Sequence, residues 1–216
     1  MEKIANNIAG NIASELNLGK DKEEVIAYGT FALMQILVSI GLVIIFGIIF
    51  KCLIEALIIS FSTSILRKYS GGVHAGTPAL CTIIGTVLCI GQSLFIKYAI
   101  VEYAGERVIL ILSIIACIWA IYTVKKYAPV DSKNKPIKKI ERRKRMKKAS
   151  LLVLCVYFVI VFSGFFVYIY TYNKLGYTYI ICLIGGFLWQ VFTLTNTAHL
   201  IFGKADTFFK YICEKR

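Results

Sequence analysis

Thr30 to Phe50 reads "TFALMQILVSIGLVIIFGIIF", 21 residues without a single charge. A stretch of about 20 mostly apolar residues matches the hydrocarbon thickness of a bilayer, and in a membrane the helix is what satisfies every backbone group of an isolated segment. The rest of the chain repeats this pattern. Thr77 to Tyr98, Val108 to Val124, Leu151 to Tyr172 and Tyr177 to Phe202 are each long enough to span alone or with modest tilt. Over 216 residues only 17% are charged and the mean hydropathy is +0.72, which excludes an ordinary soluble domain. The sequence therefore predicts an all-α integral membrane protein.

Cys52 to Leu66 is the ambiguous segment, because it is short and contains Glu55. Charge asymmetry decides between a span and a re-entrant loop. If the segment spans, there are six transmembrane helices and 21 of the 25 basic residues lie on the side of both termini. Lys51, Lys97, Arg107 and Lys174 lie opposite. Basic loops stay cytoplasmic, so the expected topology has six spans with both termini inside. A re-entrant segment would instead put Lys125 to Lys148 on the other side from the N-terminus.

The net charge of +13 then needs no nucleic-acid partner. It serves as an orientation signal and as a surface for anionic membrane lipids or an acidic ligand. Before the first span, Ile4, Ile8, Ile12 and Leu16 recur at helical spacing beside Ala5 and Ala9. Residues 1–25 are therefore expected to hold an amphipathic N-terminal helix, on the inner leaflet or packed on the bundle, with "KDKEE" separating it from the first span. No cleavable signal peptide is apparent. Cys52, Cys89, Cys117, Cys155 and Cys182 fall in apolar stretches and read as small buried hydrophobes rather than as disulfide partners.

The chemistry concentrates in "RKYSGGVHAGTPALC", Arg67 to Cys81. Thr77 suits an N-cap and Pro78 the first helical position, so Cys81 is expected in the first turn of a helix. Unpaired N–H groups and the helix dipole there favour negative charge, which makes Cys81 a candidate thiolate. On one continuous helix His74 would sit about 10 Å away along the axis. Glycines 71, 72 and 76 let the chain fold back and bring imidazole to sulfur, the minimum apparatus for acyl transfer. Against this, a lone cysteine in an apolar helix is usually core and a loop histidine is usually solvated. His199 is a rival base, although a packed or interfacial role suits it better. Asp131, Asn134, Ser70 and Asn196 are all candidates to orient His74, and the sequence does not choose among them.

The second polar region, "YAPVDSKNKPIKKIERRKRMKK" at Tyr127 to Lys148, holds Pro129 and Pro136 and a dense basic run. Its plain reading is a topology signal; its sharper one is a clamp for an acidic substrate segment, with Arg142, Arg143, Lys144 and Arg145 as the binding residues.

Arg67, "GGVHA" at Gly71 to Ala75, Cys81 seven residues after His74, and "YAPVDSKNKPI" together give a pattern that resembles the accessory gene regulator B family. These are membrane peptidases that process quorum-sensing propeptides in Gram-positive bacteria. The likeness extends over nearly the whole chain. It implies one membrane-embedded peptidase domain over residues 1–216, with a catalytic loop at 67–76 and a basic cytoplasmic loop at 125–148. It implies His74 and Cys81 as the catalytic pair, with Arg67, Gly71 and Gly72 supporting the loop, and no metal or cofactor. The implied substrate is a small precursor peptide with an amphipathic leader and an acidic C-terminal tail. Its tail would be removed and the new C-terminus joined to an internal Cys or Ser, giving a thiolactone or lactone. The likeness also implies a homodimer in the bacterial cell membrane, active at the cytoplasmic face. From other classes, a peptide transporter or exporter that does not cut its cargo and a thiol-based membrane sensor remain as alternatives. Few intramembrane ionisable residues and no paired broken helices speak against a transporter.

Overall fold

The computed structural model describes residues 1–73, 76–131 and 139–214, without the side chains of 205, 206 and 208–214. It is all-helical among these residues, apart from one isolated bridge. Helix α1 is Glu2–Glu15, α2 Lys20–Ile49, α3 Leu53–Ser70 and α4 Pro78–Phe95. A π-helical turn, Ile96–Ile100, and the short α5, Val101–Tyr103, extend α4. Then come α6 Glu106–Tyr127, α7 Ile140–Thr171, α8 Lys174–Phe192 and α9 Asn196–Glu214.

Five helical stretches are long and apolar enough to cross a membrane: Lys20–Ile49, Pro78–Tyr103, Glu106–Tyr127, Ile140–Thr171 and Lys174–Phe192. Helix α3 is not among them, since its 18 residues include Glu55, Arg67 and Lys68. It is nevertheless one unbroken helix of about 27 Å at 1.5 Å per residue. Its inward stripe is Glu55, Ala56, Ile59, Ser62, Leu66 and Ser70.

That stripe lies at the centre of the bundle and packs most extensively on α8. Gly186 makes the approach close: a Cβ there would come within 2.8 Å of the Ile59 carbonyl oxygen and closer still to Ser62 Oγ. Thr63 Oγ1 donates to the Gly186 carbonyl at 2.9 Å, and Tyr157 in α7 donates to that of Ser62 at 3.0 Å. Small residues let backbones approach where lipid offers no hydrophobic drive for helix association.

The bundle has two polar ends. At one, Lys97 Nζ pairs with Glu55 Oε1 at 3.0 Å and donates to the Lys51 carbonyl at 2.7 Å. Lys174 pairs there with Glu102, and Tyr168 donates to Glu106. At the other end meet the C-termini of α3, α6 and α8 and the N-termini of α4 and α7. Helix α3 connects the two ends, as α2, α4, α6, α7 and α8 do.

Three expected boundaries move. "KDKEE" is the start of α2 rather than a separator, with Asp21 and Glu23 where the positive end of the helix dipole favours them. The break falls at 16–19 instead. Helix α7 begins at Ile140, so most of the basic run is helical, and the connection expected at 125–148 shrinks to 128–139. The segment expected as one span over 177–202 is two helices, broken at 193–195.

Helix α1 buries Ala5, Ala9 and Ala13 and packs on α2, while Ile4, Ile8, Ile12 and Leu16 stay exposed. The alanine face, and not the isoleucine stripe, is what holds it to the protein.

Candidate active site

Thr77 caps α4 as its sequence position suggests: its hydroxyl accepts the Leu80 N–H at 3.3 Å, and Pro78 is the first helical residue. The Cys81 N–H closes the first turn on the Thr77 carbonyl at 3.0 Å. Cys81 is a half-buried thiol outside any disulfide. Cys52, Cys89, Cys117 and Cys182 are likewise outside disulfides but buried, while Cys155 faces outward from α7.

Arg67 lies near enough to Cys81 for charge on the sulfur to act on the guanidinium. A guanidinium stays charged at any physiological pH, so a fixed cation lies within electrostatic reach of the thiol. Its Nη2 donates to the Val73 carbonyl, and its Nε is buried without a partner. The arginine thus bonds the loop backbone and lies within electrostatic reach of the thiol at the helix start.

That loop is held on three sides. Gly71 (φ 69°, ψ −151°) and Gly72 (φ 138°) occupy backbone regions that side chains rarely enter. On one side the Val130 N–H donates to the Ser70 carbonyl at 2.9 Å, and Gly71 bridges to Val130. On another, Gln190 Nε2 in α8 donates to the Gly71 carbonyl at 2.6 Å and to Ser70 Oγ at 3.0 Å. The Val73 N–H donates to the Thr193 carbonyl at 3.1 Å. Arg67 is the third support. A Cβ on Gly72 would lie 2.6 Å from Thr193 Oγ1 and 3.2 Å from Gln190 Nε2, so glycine is required for closeness as well as for conformation.

His74 lies outside the described residues, as does Asn134. Of the other candidates to orient it, Ser70 is fully buried and its hydroxyl is engaged by Gln190 and Gly71. Asp131 is paired with Arg143 at 3.3 Å. Asn196 and the rival base His199 are exposed on the first turns of α9.

The four basic candidates divide. Arg143 is turned to Asp131 and to the Pro129 carbonyl (3.3 Å), where it braces the turn that carries Val130. Arg142 is exposed. Lys144 and Arg145 line a concavity of about 480 Å³ together with Glu141, Lys147, Lys148 and Leu151. Lys147 and Lys148 were not singled out from the sequence. Helical spacing would have found them had α7 been extended back to Ile140. Gln190 and Thr193 were missed as well, and no local signal marks them. Among the described residues, no cluster of His, Cys, Asp or Glu side chains could hold a metal ion.

Apolar helices of membrane-crossing length and a half-buried cysteine at a helix start, within electrostatic reach of an arginine, define a multi-pass membrane protein with a candidate nucleophile at one polar end. Residues 4–194 match the family described as Accessory gene regulator B. An AgrB-like protein 2 of Clostridium perfringens strain 13 is 38% identical over 208 residues, covering 96% of this chain and 97% of its own length. A second AgrB-like protein, from C. perfringens strain SM101, is 36% identical over the same spans. The chain belongs to the accessory gene regulator B family. No solved structure matches it.

Proposed function

We propose that the protein is a membrane cysteine endopeptidase that removes the C-terminal tail of a small quorum-sensing precursor and cyclises the remainder. The observation that carries this is the placement of Cys81 in the first turn of α4, within electrostatic reach of Arg67, after a backbone loop pinned up to the residue before His74. A cysteine that served only as packing would need neither the cation nor the clamp.

In this reading His74 takes the Cys81 proton, and the thiolate attacks the peptide carbonyl carbon before the tail. The C–N bond breaks, His74 returns the proton to the leaving amine, and an acyl-thioester remains on Cys81. A thiol or hydroxyl of the same peptide then attacks that carbonyl. It loses its proton to His74 and expels the Cys81 sulfur. With an internal thiol, one thioester replaces another, so the exchange is nearly balanced and needs no ATP. Half-burial of the sulfur at the mouth of the bundle limits hydrolysis and raises the effective concentration of the internal nucleophile.

The proposed topology is six spans with both termini cytoplasmic. Support comes from the course of α3 between the two polar ends and from the basic excess on the end that carries Cys81. Glu55, the ionisable residue most at odds with a spanning α3, is neutralised by Lys97. The acidic tail would lie against Lys144, Arg145, Lys147 and Lys148, with Arg142 nearby. Helix α1 would rest its isoleucine stripe on the inner leaflet, whose anionic lipids the basic surface attracts. The assembly is proposed as a homodimer.

The test is tail removal from a precursor with an amphipathic leader and an acidic tail, in proteoliposomes, by Cys81→Ala and Cys81→Ser. Cleavage at the normal rate by the alanine variant would sink the mechanism. Export of peptide of unchanged mass would indicate a transporter, and reversible oxidation of Cys81 without turnover a sensor. Replacing His74 and His199 separately identifies the base.

A further inference from the structure

We infer that Gln190 is a positioning residue of the site, fixing the segment from Ser70 to Val73 that leads into the candidate base, His74. The inference rests on the peptidase reading above and adds to it a residue from a helix more than 100 positions away in the chain. Gln190 is fully buried near the end of α8, where Phe187 and Val191 of the same helix and Leu194 just beyond it are also fully buried. An amide is costly there. Its Nε2 is used twice, on the Gly71 carbonyl and on Ser70 Oγ, while its Oε1 is buried without a partner. An orphaned buried acceptor costs about 1–3 kcal/mol, so packing alone would favour leucine at this position.

The donated bonds explain what the amide does. Ser70 ends α3 and Gly71 begins the loop. Two residues later the Val73 N–H is caught by the Thr193 carbonyl, three residues further along from Gln190. Together the two hold the chain from 70 to 73 against the end of α8. Gly72 is flattened onto the same surface, with room for no Cβ. The backbone entering His74 therefore takes its position from α8, and Gln190 supplies the only side-chain donor from that helix to the loop backbone among the described residues. Its unused Oε1 remains as an acceptor on the same side.

The experiment compares Gln190→Leu and Gln190→Glu in the full-length protein. The first keeps the volume, and the second keeps the shape while losing the N–H donor in its ionised form. Gln92→Leu, which removes another partly buried amide remote from the loop, is the control. Two readouts are taken: kcat and KM for precursor cleavage, and the pH profile of Cys81 alkylation by iodoacetamide, resolved by peptide mass spectrometry.

The expected result is kcat lowered by about 100-fold in the Gln190 variants with KM little changed, as for a small misplacement of a reacting group. The alkylation profile should move toward that of His74→Ala, while Gln92→Leu keeps the wild-type profile. A wild-type alkylation profile in folded Gln190 variants would overturn the inference, even if activity fell through lost stability. The same holds if Gln92→Leu shifts the profile equally. Failure of the wild-type protein to cut any precursor would count against the peptidase reading, while the alkylation comparison would still decide the role of Gln190.

Discussion

Replacing Gly71 by alanine tests the claim that the loop is clamped rather than merely placed. With φ 69° and ψ −151° the residue sits in a region essentially reserved for glycine, which costs another residue about 1–3 kcal/mol. The new Cβ would also lie 3.0 Å from the Val130 carbonyl carbon, 3.1 Å from its nitrogen and closer still to its oxygen. These are backbone atoms, so no side-chain rotation relieves the clash and the two segments must part. Parting them gives up the bond from the Val130 N–H to Ser70 and strains that from Gln190 to Gly71. At about 0.5–1.5 kcal/mol each, these bring the local cost to roughly 2–6 kcal/mol. The helices themselves are untouched, so the penalty should appear as a displaced loop more than as an unfolded bundle. Displacement by about 1 Å at a reacting centre costs about 100-fold in rate. Precursor cleavage in proteoliposomes should fall by that order, with only a small loss of thermal stability in detergent. Gly91→Ala, where nothing lies within 4 Å of the added Cβ, is the matched control. Wild-type turnover by Gly71→Ala would refute the clamp.

Gly186→Ala drives a methyl into Ile59 and Ser62 and should separate α3 from α8, lowering stability by about 1–3 kcal/mol; a melting temperature within a degree or two of wild type would contradict that packing. Lys97→Met strands the buried Glu55 and should destabilise by about 3 kcal/mol, much of it recovered in Lys97→Met/Glu55→Gln. Equal stability of the single and double variants in a denaturation series would show that the pair is not coupled. Neutralising Lys144, Arg145, Lys147 and Lys148 should raise KM for an acidic-tailed precursor and flatten its salt dependence. Arg143→Gln should leave that salt dependence intact, because this arginine is committed to Asp131 and Pro129. The reverse pattern would place the tail on the other face of α7.

The helical class and the apolar spans were legible because hydropathy and length are local properties, and Thr30 to Phe50 or Val108 to Val124 need no partner to be read. Boundaries were less legible. Charge marks where a helix leaves lipid and says nothing of where its hydrogen bonds end. Lys20 to Glu24 and Ile140 to Lys148 accordingly proved helical although their composition resembles a loop. The opposite happened at 193–195, where an apolar run conceals a break stabilised by the Thr195 N–H on the Phe192 carbonyl and the Thr195 hydroxyl on the same oxygen. Helix α3 was ambiguous because Glu55 makes a spanning helix expensive unless a partner is known, and Lys97 is 42 residues away on another helix.

The site divides along the same line. Thr77, Pro78 and Cys81 form a contiguous signal, since a cap, a first-turn proline and a residue three positions on fix one another by helix geometry alone. The glycines at 71 and 72 were read as giving freedom for the loop to fold back. The structure assigns them the opposite consequence: their unusual dihedrals let the backbone lie flat against Val130 and Thr193, and that contact immobilises it. The sequence could not distinguish flexibility from a tight fit, because the surfaces that demand the fit come from the α6–α7 turn and from α8. Arg143 illustrates the same limit. In the run of four basic residues from Arg142 to Arg145 it looks like its neighbours, yet its bonds to Asp131 and Pro129 tie the turn bearing Val130 to the base of α7. Val130 in turn holds Ser70 and Gly71. Arg143 thus belongs to the frame that holds the loop beginning at Gly71, whereas Lys144, Arg145, Lys147 and Lys148 face the concavity on α7.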